Sequence, residues 1–395
     1  MNEEKLLKIG TDLIYLAACA LRSVTPDMAR ARDMQLNSVS KMASFHSMQA
    51  IAYLSLANLA EKEGFDSLDG EAISVMRRDY GLALRRTFNL EAERAALIKF
   101  LEEKKIWYLT LKGIILQHYY PKMGMRQMTD NDILINPIHA KCVRDFFLSR
   151  GYEIYSFGKG CHDIYIKGDV TFEIHRTLAS EEKKNRKNKA FCNAAVKRSL
   201  SRAGDSLALS LSEEDFYVYF IFHTYKHFST SGCGIRSLMD IYLYNKAKRD
   251  ELDIDAVNAN FEALNLFEFE KMTREISMKI FPDDPSEVYS IVDGLSDEEK
   301  QRLLYFITSG TFGTQDQLIK NSLAAISTDE KITFFVKLKY TLRRIFPPFD
   351  YYKMAHPRLY KFIVTIPFLW LYRIFRGLRK SDKVAKEIKK LKNTK

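Results

Sequence analysis

The sequence predicts an α+β protein in which a few short β-strands lie in the middle of the chain and helices lie on both sides. Up to about residue 90, apolar residues recur every three or four positions, which is typical of helices. Short runs rich in strand-forming residues occupy residues 106 to 175. Helical spacing returns from Ser212 to about residue 345. We therefore expect four segments: a helical region (1–90), a sheet-containing core (91–180), a second helical region (181–345) and a tail (346–395).

Helices and strands alternate in the predicted core. Its expected elements are a helix at 91–104, a strand at 106–111, a helix at 114–120, a strand at 133–135, a helix at 139–150 and strands at 163–167 and 170–175. Gly168-Asp169 separates the last two strands and is typical of a hairpin turn. Side chains alternate along the final strand, so Glu173 and His175 share its polar face.

The composition excludes several classes of protein. With 26 Phe, 21 Tyr and only nine Pro among 395 residues, the chain is neither collagenous nor mostly disordered. The longest apolar run near the end, residues 362–372, contains Pro367 and is shorter than the roughly 20 residues that span a bilayer. Five cysteines without a C-x-x-C spacing argue against a disulfide framework. Acidic residues precede the first apolar run, which is not the pattern of a secretory signal. We therefore expect a reducing, cytoplasmic location.

The net charge of +11 lies in the tail. Residues 353–395 contain 13 Lys and Arg against two Asp and Glu, so the rest of the chain is neutral, with 48 of each sign. Within residues 362–380, an apolar helical stripe lies beside basic residues; the stripe is Leu371, Ile374, Phe375 and Leu378. This pattern predicts peripheral contact with the inner face of a membrane, while packing on the body or contact with RNA are alternatives.

Two pairs of residues could carry chemistry, one of aspartates and one of histidines. Strand geometry places Asp130 and Asp132 on one face, roughly 6.5–7 Å apart along the backbone. Carboxylates so placed can hold a hard divalent cation such as Mg²⁺, and Glu173, on a neighbouring strand, is a candidate third ligand. The chain has a second D-x-D at Asp253 and Asp255, which shows that this spacing also arises by chance. His223 and His227 lie one helical turn apart and could line a cleft or, as the alternative, bind a metal.

The order of motifs is more specific than any one of them. It runs Leu111-Lys112-Gly113, Tyr120-Pro121, Arg126-Gln127-Met128, Asp130-Asn131-Asp132 and Glu173-Ile174-His175. This order resembles the nucleotidyltransferase superfamily of the DNA-polymerase-β type, and in particular its uncharacterised bacterial branch. The motifs cover roughly residues 90 to 180, with a looser resemblance in the helical regions.

The resemblance implies a small mixed β-sheet core and a Mg²⁺-dependent transfer of NMP from an NTP, with release of pyrophosphate. It implies that Mg²⁺, expected as two ions, is held by Asp130, Asp132 and Glu173. We add Arg126 to these acids as a candidate catalytic residue. The nucleotide would bind near Lys112, Gly113 and His175. The acceptor could be RNA, a protein or a small molecule.

Two departures from the superfamily pattern leave an alternative open. Gly113-Ile114 stands where the superfamily has Gly-Ser, so a phosphate-binding hydroxyl is missing, and the third acid is Glu173 rather than Asp. The alternative is a non-catalytic nucleotide- or partner-binding protein on the same scaffold, associated with a membrane. A kinase-like or toxin-type activity is a third interpretation.

Single residues also have structural interpretations. Arg126 either neutralises phosphate or pairs with Asp130, and Lys112 either binds phosphate or is a solvated strand end. His175 either orients a carboxylate, touches substrate or is structural. Arg236 and Asp240 are expected to pair along a helix face.

Overall fold

The computed structural model describes residues 2–63, 68–180, 186–327, 332–349, 351–352, 365–379, 385 and 387–391. It confirms the α+β class, with 68% helix and one small mixed six-stranded sheet in this part of the chain. None of its helices is long and apolar enough to cross a bilayer.

The elements are numbered in chain order. The helices are α1 (Glu3–Arg22), α2 (Met28–Asp33), α3 (Leu36–Phe45), α4 (Gln49–Glu63), α5 (Gly70–Glu103), α6 (Gly113–Leu116), α7 (Ala140–Ser149), α8 (Arg186–Arg202), α9 (Glu213–Phe228), α10 (Ile235–Lys248), α11 (Ile254–Ala263), α12 (Phe267–Ile280), α13 (Val288–Asp293), α14 (Asp297–Ser309), α15 (Gln315–Ala324), α16 (Phe334–Ile345) and α17 (Ile366–Leu378). The strands are β1 (Tyr108–Thr110), β2 (Asn131–Ile135), β3 (Glu153–Ser156), β4 (His162–Lys167), β5 (Val170–His175) and β6 (Ala208–Leu209).

The sheet has the strand order β3-β4-β5-β2-β1-β6. Strand β2 is parallel to β5, and β1 is parallel to β6, whereas the other neighbours are antiparallel. The predicted hairpin is β4–β5, in which Lys167 is paired with Val170. In the parallel central pair β2–β5, the register sets Asn131, the first residue of β2, opposite Phe172 in the middle of β5, so that Asp132 lies opposite Glu173.

Each face of the sheet packs against different helices. Ile133 and Phe172 lie in a core with Leu97 of α5 and Phe147 of α7. Leu134 lies on the opposite face, in a core with residues of α9. Alternation along the strands therefore places the polar residues of β2 and β5 on the face that α9 covers.

Helices from the two ends of the chain share a third core. Leu13 and Ile51 pack there with Leu238, Val288 and Ile307. Buried His46 joins the two sets, since its Nδ1 accepts a hydrogen bond from the Ile235 amide and its Nε2 lies 3.1 Å from the Ile307 carbonyl oxygen. The helical segments before and after the sheet thus form one packing unit.

Several boundaries differ from the prediction. The helix expected at 91–104 is the second half of α5, which begins at Gly70 after the N-cap Asp69. The expected strand at 106–111 is limited to Tyr108–Thr110, and the expected helix at 114–120 ends at Leu116 and continues as a 3₁₀ turn. Edge strand β3 has no clean alternation and β6 has only two residues, so neither was predicted.

Candidate functional site

A cavity of about 460 Å³ lies between the polar face of the sheet and helices α9 and α10. All seven sequence-predicted site residues line it: Lys112, Gly113, Arg126, Asp130, Asp132, Glu173 and His175. His223 and His227 of α9 line it as well, as expected for cleft residues. The fold therefore brings together side chains from segments that are more than 100 residues apart in the chain.

The parallel pairing of β2 and β5 brings the carboxylates together. Asp132 lies directly opposite Glu173 in the register, and adjacent strands are about 4.8 Å apart. Asp130 immediately precedes β2 and reaches the same cavity. The D-x-D spacing and the alternation in β5 are thus the local features that place three acids in one cavity.

Asp132 is buried and has two basic partners. His175 Nε2 lies 2.8 Å from its Oδ1, and Lys112 Nζ lies 3.2 Å from its Oδ2. Burial alone would raise the pKa of Asp132, but Lys112 and the His175 hydrogen bond outweigh burial and hold that pKa well below its usual range. Asp132 is therefore an anion in the folded protein.

The backbone of Lys112 is strained at this point. Its φ of 34° lies in the left-handed region, which side chains other than glycine rarely adopt. The conformation places Lys112, between β1 and α6, so that its ammonium contacts both Asp132 and, at 2.9 Å, His223 Nε2. Backbone strain of this kind is concentrated at functional sites.

The other two carboxylates are compensated less, since the basic groups around them do not outweigh burial and the neighbouring acids. Burial and the charges of Asp132 and Asp130 raise the pKa of Glu173 to about 7. Burial and Asp132 also raise the pKa of Asp130, to which no described residue donates a hydrogen bond or forms an ion pair. Among the described residues, these three carboxylates thus share the cavity with one directly paired ammonium, so added positive charge would stabilise them. Their oxygen atoms are ligands that fit Mg²⁺.

A mixed set of ligands lies next to these acids. In the described part of the chain, His162, Glu173 and His175 offer ligand atoms that all lie within 4.8 Å of one another. Burial and His175 lower the pKa of His162 to about 4, so its imidazole is neutral at pH 7. Sequence reasoning missed His162, although a hairpin centred on Gly168-Asp169 already pairs it with His175.

Arg126 is paired with Asp240, not with Asp130. Its Nε and Nη2 donate to the two oxygens of Asp240 at 2.9 and 3.0 Å, and Tyr120 Oη donates to the same carboxylate at 2.6 Å. The expected Arg236–Asp240 pair is therefore wrong: Arg236 donates to the Gln127 carbonyl oxygen at 2.8 Å. Sequence spacing could not reveal a pair separated by 114 residues.

Gly113 lies where two side chains approach closely. A Cβ atom added at this position would lie 2.9 Å from Met128 Cε and 3.0 Å from Arg126 Nη1. The following residue, Ile114, is buried against the sheet, and its amide donates to the Leu111 carbonyl oxygen. The Ile115 amide likewise donates to the Lys112 carbonyl oxygen. These two amides are already engaged, so phosphate binding would depend mainly on basic side chains.

Helix α9 supplies the wall opposite the carboxylates. His227 Nε2 lies 3.3 Å from His223 Nε2, one helical turn away. Burial and the neighbouring Lys112 charge lower the pKa of both imidazoles, that of His227 to about 4. Lys226 and, from α10, Arg236 add positive charge to the lining. Sequence reasoning had not assigned Lys226 to the site, because helical spacing alone does not show which face meets a sheet.

The chain was compared with known protein families. The model of the family described as uncharacterised nucleotidyltransferase matches residues 34–282. That range begins just after α2, ends just after α12 and contains every residue of the cavity named above. No curated protein and no solved structure matches the chain.

Proposed function

Because the chain belongs to the uncharacterised nucleotidyltransferase family, we propose that it transfers an NMP from an NTP to an acceptor in a Mg²⁺-dependent reaction that releases pyrophosphate. The family assignment supports nucleotidyl transfer in general. The observation that carries the finer proposal is the juxtaposition of Asp130, Asp132 and Glu173, which have, within the described part of the chain, a single directly paired ammonium.

The carboxylates of Asp130, Asp132 and Glu173 would hold the metal. When bound, Mg²⁺ supplies positive charge for the triphosphate and for the developing charge on the leaving pyrophosphate. His175 keeps the Asp132 carboxylate in one orientation through its 2.8 Å contact. We therefore assign His175 a positioning role beside the nucleotide.

Basic side chains would bind the triphosphate. Lys226, Arg236 and Lys112, which also contacts one oxygen of Asp132, line the cavity, whereas both oxygens of Asp240 are bound to Arg126 and neutralise its charge. Arg126 would then stabilise the wall around Gly113 and add little charge at the phosphates. In the reaction, an acceptor oxygen forms a bond to the α-phosphorus, and the bond between that phosphorus and the oxygen that bridges it to the β-phosphorus breaks. Pyrophosphate leaves with the bridging oxygen, and the proton of the acceptor passes to water.

The test is titration of the purified chain with each NTP, with and without Mg²⁺, followed by measurement of pyrophosphate release. We expect Asp130→Asn/Asp132→Asn to abolish Mg²⁺-dependent binding and release. The matched control is Asp253→Asn/Asp255→Asn at the exposed start of α11, where Asp253 is an N-cap that asparagine can replace. Mg²⁺-dependent release that survives in the Asp130/Asp132 double variant would refute the proposal.

Nucleotide binding without transfer is the second candidate. It is favoured by the buried Ile114 at the superfamily's hydroxyl position and by the engaged amides of Ile114 and Ile115. In that case the titration would show nucleotide binding, but no pyrophosphate would appear with RNA, protein or small-molecule acceptors.

A further inference from the structure

Helix α16 has apolar residues on two opposite sides. Val336 and Tyr340 pack against Ile319 and Leu323 of α15. The other side is also apolar, although it faces solvent; its exposed residues are Phe334, Phe335, Leu338, Leu342 and Ile345. Phe334 and Phe335 are 73% and 76% exposed. The outward face of a helix in a water-soluble protein is normally polar, so this face is not adapted to water.

Helix α17 repeats the arrangement. Ile366 and Leu369 are buried in a small cluster with Tyr352. The residues of the other side are exposed, namely Phe368, Leu371, Tyr372 and Phe375. Phe368 and Phe375 are 71% and 65% exposed. Two neighbouring helices therefore each bury one apolar side and expose another.

The two helices belong to one structural unit. The rings of Phe346 and Trp370 lie 5.3 Å apart, edge to face. Arg373 of α17 donates a hydrogen bond to the Arg344 carbonyl oxygen of α16 at 3.1 Å. These contacts hold the two helices against each other.

Basic residues border the exposed apolar side chains. On a helical projection, Lys337 and Lys339 fall on the two edges of the α16 stripe, where long side chains can extend their charges away from an apolar surface. Residues 332–395 contain 17 Lys and Arg against three Asp and Glu. Clusters of basic residues beside an apolar helix face are typical of segments that lie on anionic lipid.

We propose that α16 and α17 form a lipid-binding surface that lies in the interface of an anionic membrane. The sequence placed such a contact at residues 362–380, of which 362–364 and 380 lie outside the described residues; the structure adds α16 to it. A second copy of the chain would bring the same excess of positive charge against this surface, which disfavours self-association. RNA would use the charges and could stack on the phenylalanines, but it has no use for the exposed Leu338, Leu342 and Ile345.

The experiment is flotation of the full-length protein with two kinds of vesicle, phosphatidylcholine alone and phosphatidylcholine mixed with phosphatidylglycerol. We expect binding to the anionic vesicles and weak binding to the neutral ones. Lys337→Glu/Lys339→Glu should weaken binding at least about tenfold, because each basic residue near an anionic surface contributes roughly a factor of five. The control with the same charge change is Lys41→Glu/Lys271→Glu, which alters exposed lysines of α3 and α12 and should bind as the wild type does.

The apolar contribution is tested separately. Phe334→Ser/Phe335→Ser should also lower the bound fraction, whereas Phe88→Ser, at an exposed phenylalanine of α5, should not. The altered side chains are exposed, except that of Lys337, which is half-buried. Unchanged melting curves would show that the variants fold. Equal binding to neutral vesicles, dimerisation through this face in sedimentation, or selective binding of RNA would each overturn the proposal. The readout does not depend on nucleotidyl transfer.

Discussion

The buried ion pair between Arg126 and Asp240 allows a quantitative prediction about stability. Their side chains are only 11% and 7% exposed, and Asp240 accepts from both Arg126 and Tyr120. Burial alone would lower the pKa of Arg126, but Asp240 raises it above its usual value, so the guanidinium stays charged. Asp240→Asn therefore leaves a buried cation unpaired and puts an amide donor against a guanidinium donor. Breaking a buried pair in this way costs about 3–5 kcal/mol.

A double-mutant cycle in urea, followed by circular dichroism, measures this coupling. The double variant Arg126→Gln/Asp240→Asn leaves no unpaired charge at this pair. We therefore expect its loss of unfolding free energy to be at least about 2 kcal/mol smaller than the sum of the losses in the two single variants. The exposed Arg302–Glu298 pair on α14 is the control, and Glu298→Gln should cost less than about 1 kcal/mol. A cost below about 1 kcal/mol for Asp240→Asn, or additive single effects, would show that the pair is not the stabilising unit described.

Two further predictions concern the shared helical core. Burial lowers the pKa of His46 to about 4, against about 6.5 in an unfolded chain, so the unfolded chain binds protons more readily between these values. Neutral His46 therefore contributes stability above about pH 6.5, and roughly 3 kcal/mol of it is lost as the pH falls to about 4. The unfolding free energy of His46→Gln should depend less on pH across this window than that of the wild type. Equal pH slopes for the two proteins would contradict this account of His46. Gly10→Ala should destabilise the fold by about 1 kcal/mol in urea, because the new Cβ would lie 2.5 Å from Ile307 Cδ1. Gly81→Ala meets nothing within 4 Å on α5 and should instead stabilise by about 0.5–1 kcal/mol, so the same sign for both changes would be inconsistent with the packing described.

Local patterns explain what could be predicted about the site. The alternation in β5, the turn at Gly168-Asp169 and the D-x-D at the start of β2 depend only on neighbouring residues. Together with the resemblance, they indicated the polar strand face on which Asp132 and Glu173 meet. They could not indicate α9 as the opposite wall, because that placement depends on packing of the whole sheet.

Partners that are distant in sequence escaped prediction for the same reason. Asp240 was assigned to Arg236 by helical spacing, yet the tertiary fold pairs it with Arg126. The length of α5 was also underestimated, since Ile73 and Met76 pack in the helical core whereas Leu97 and Leu101 pack under the sheet. A helix that serves two cores in succession does not show one continuous apolar stripe, so only its second half was recognised.

The core shared by the first and last helical regions also has a consequence for biosynthesis. Asp12 of α1 accepts a hydrogen bond from Tyr289, 277 residues later. At about 5–20 residues per second, α1 therefore waits roughly 14 to 55 s on the ribosome before this partner is made. The last strand of the sheet, which ends at Leu209, emerges well before then. During that interval α1 can pack against the early helices α3 and α4 but not against α13 and α14, so one side of α1 stays uncovered while translation continues.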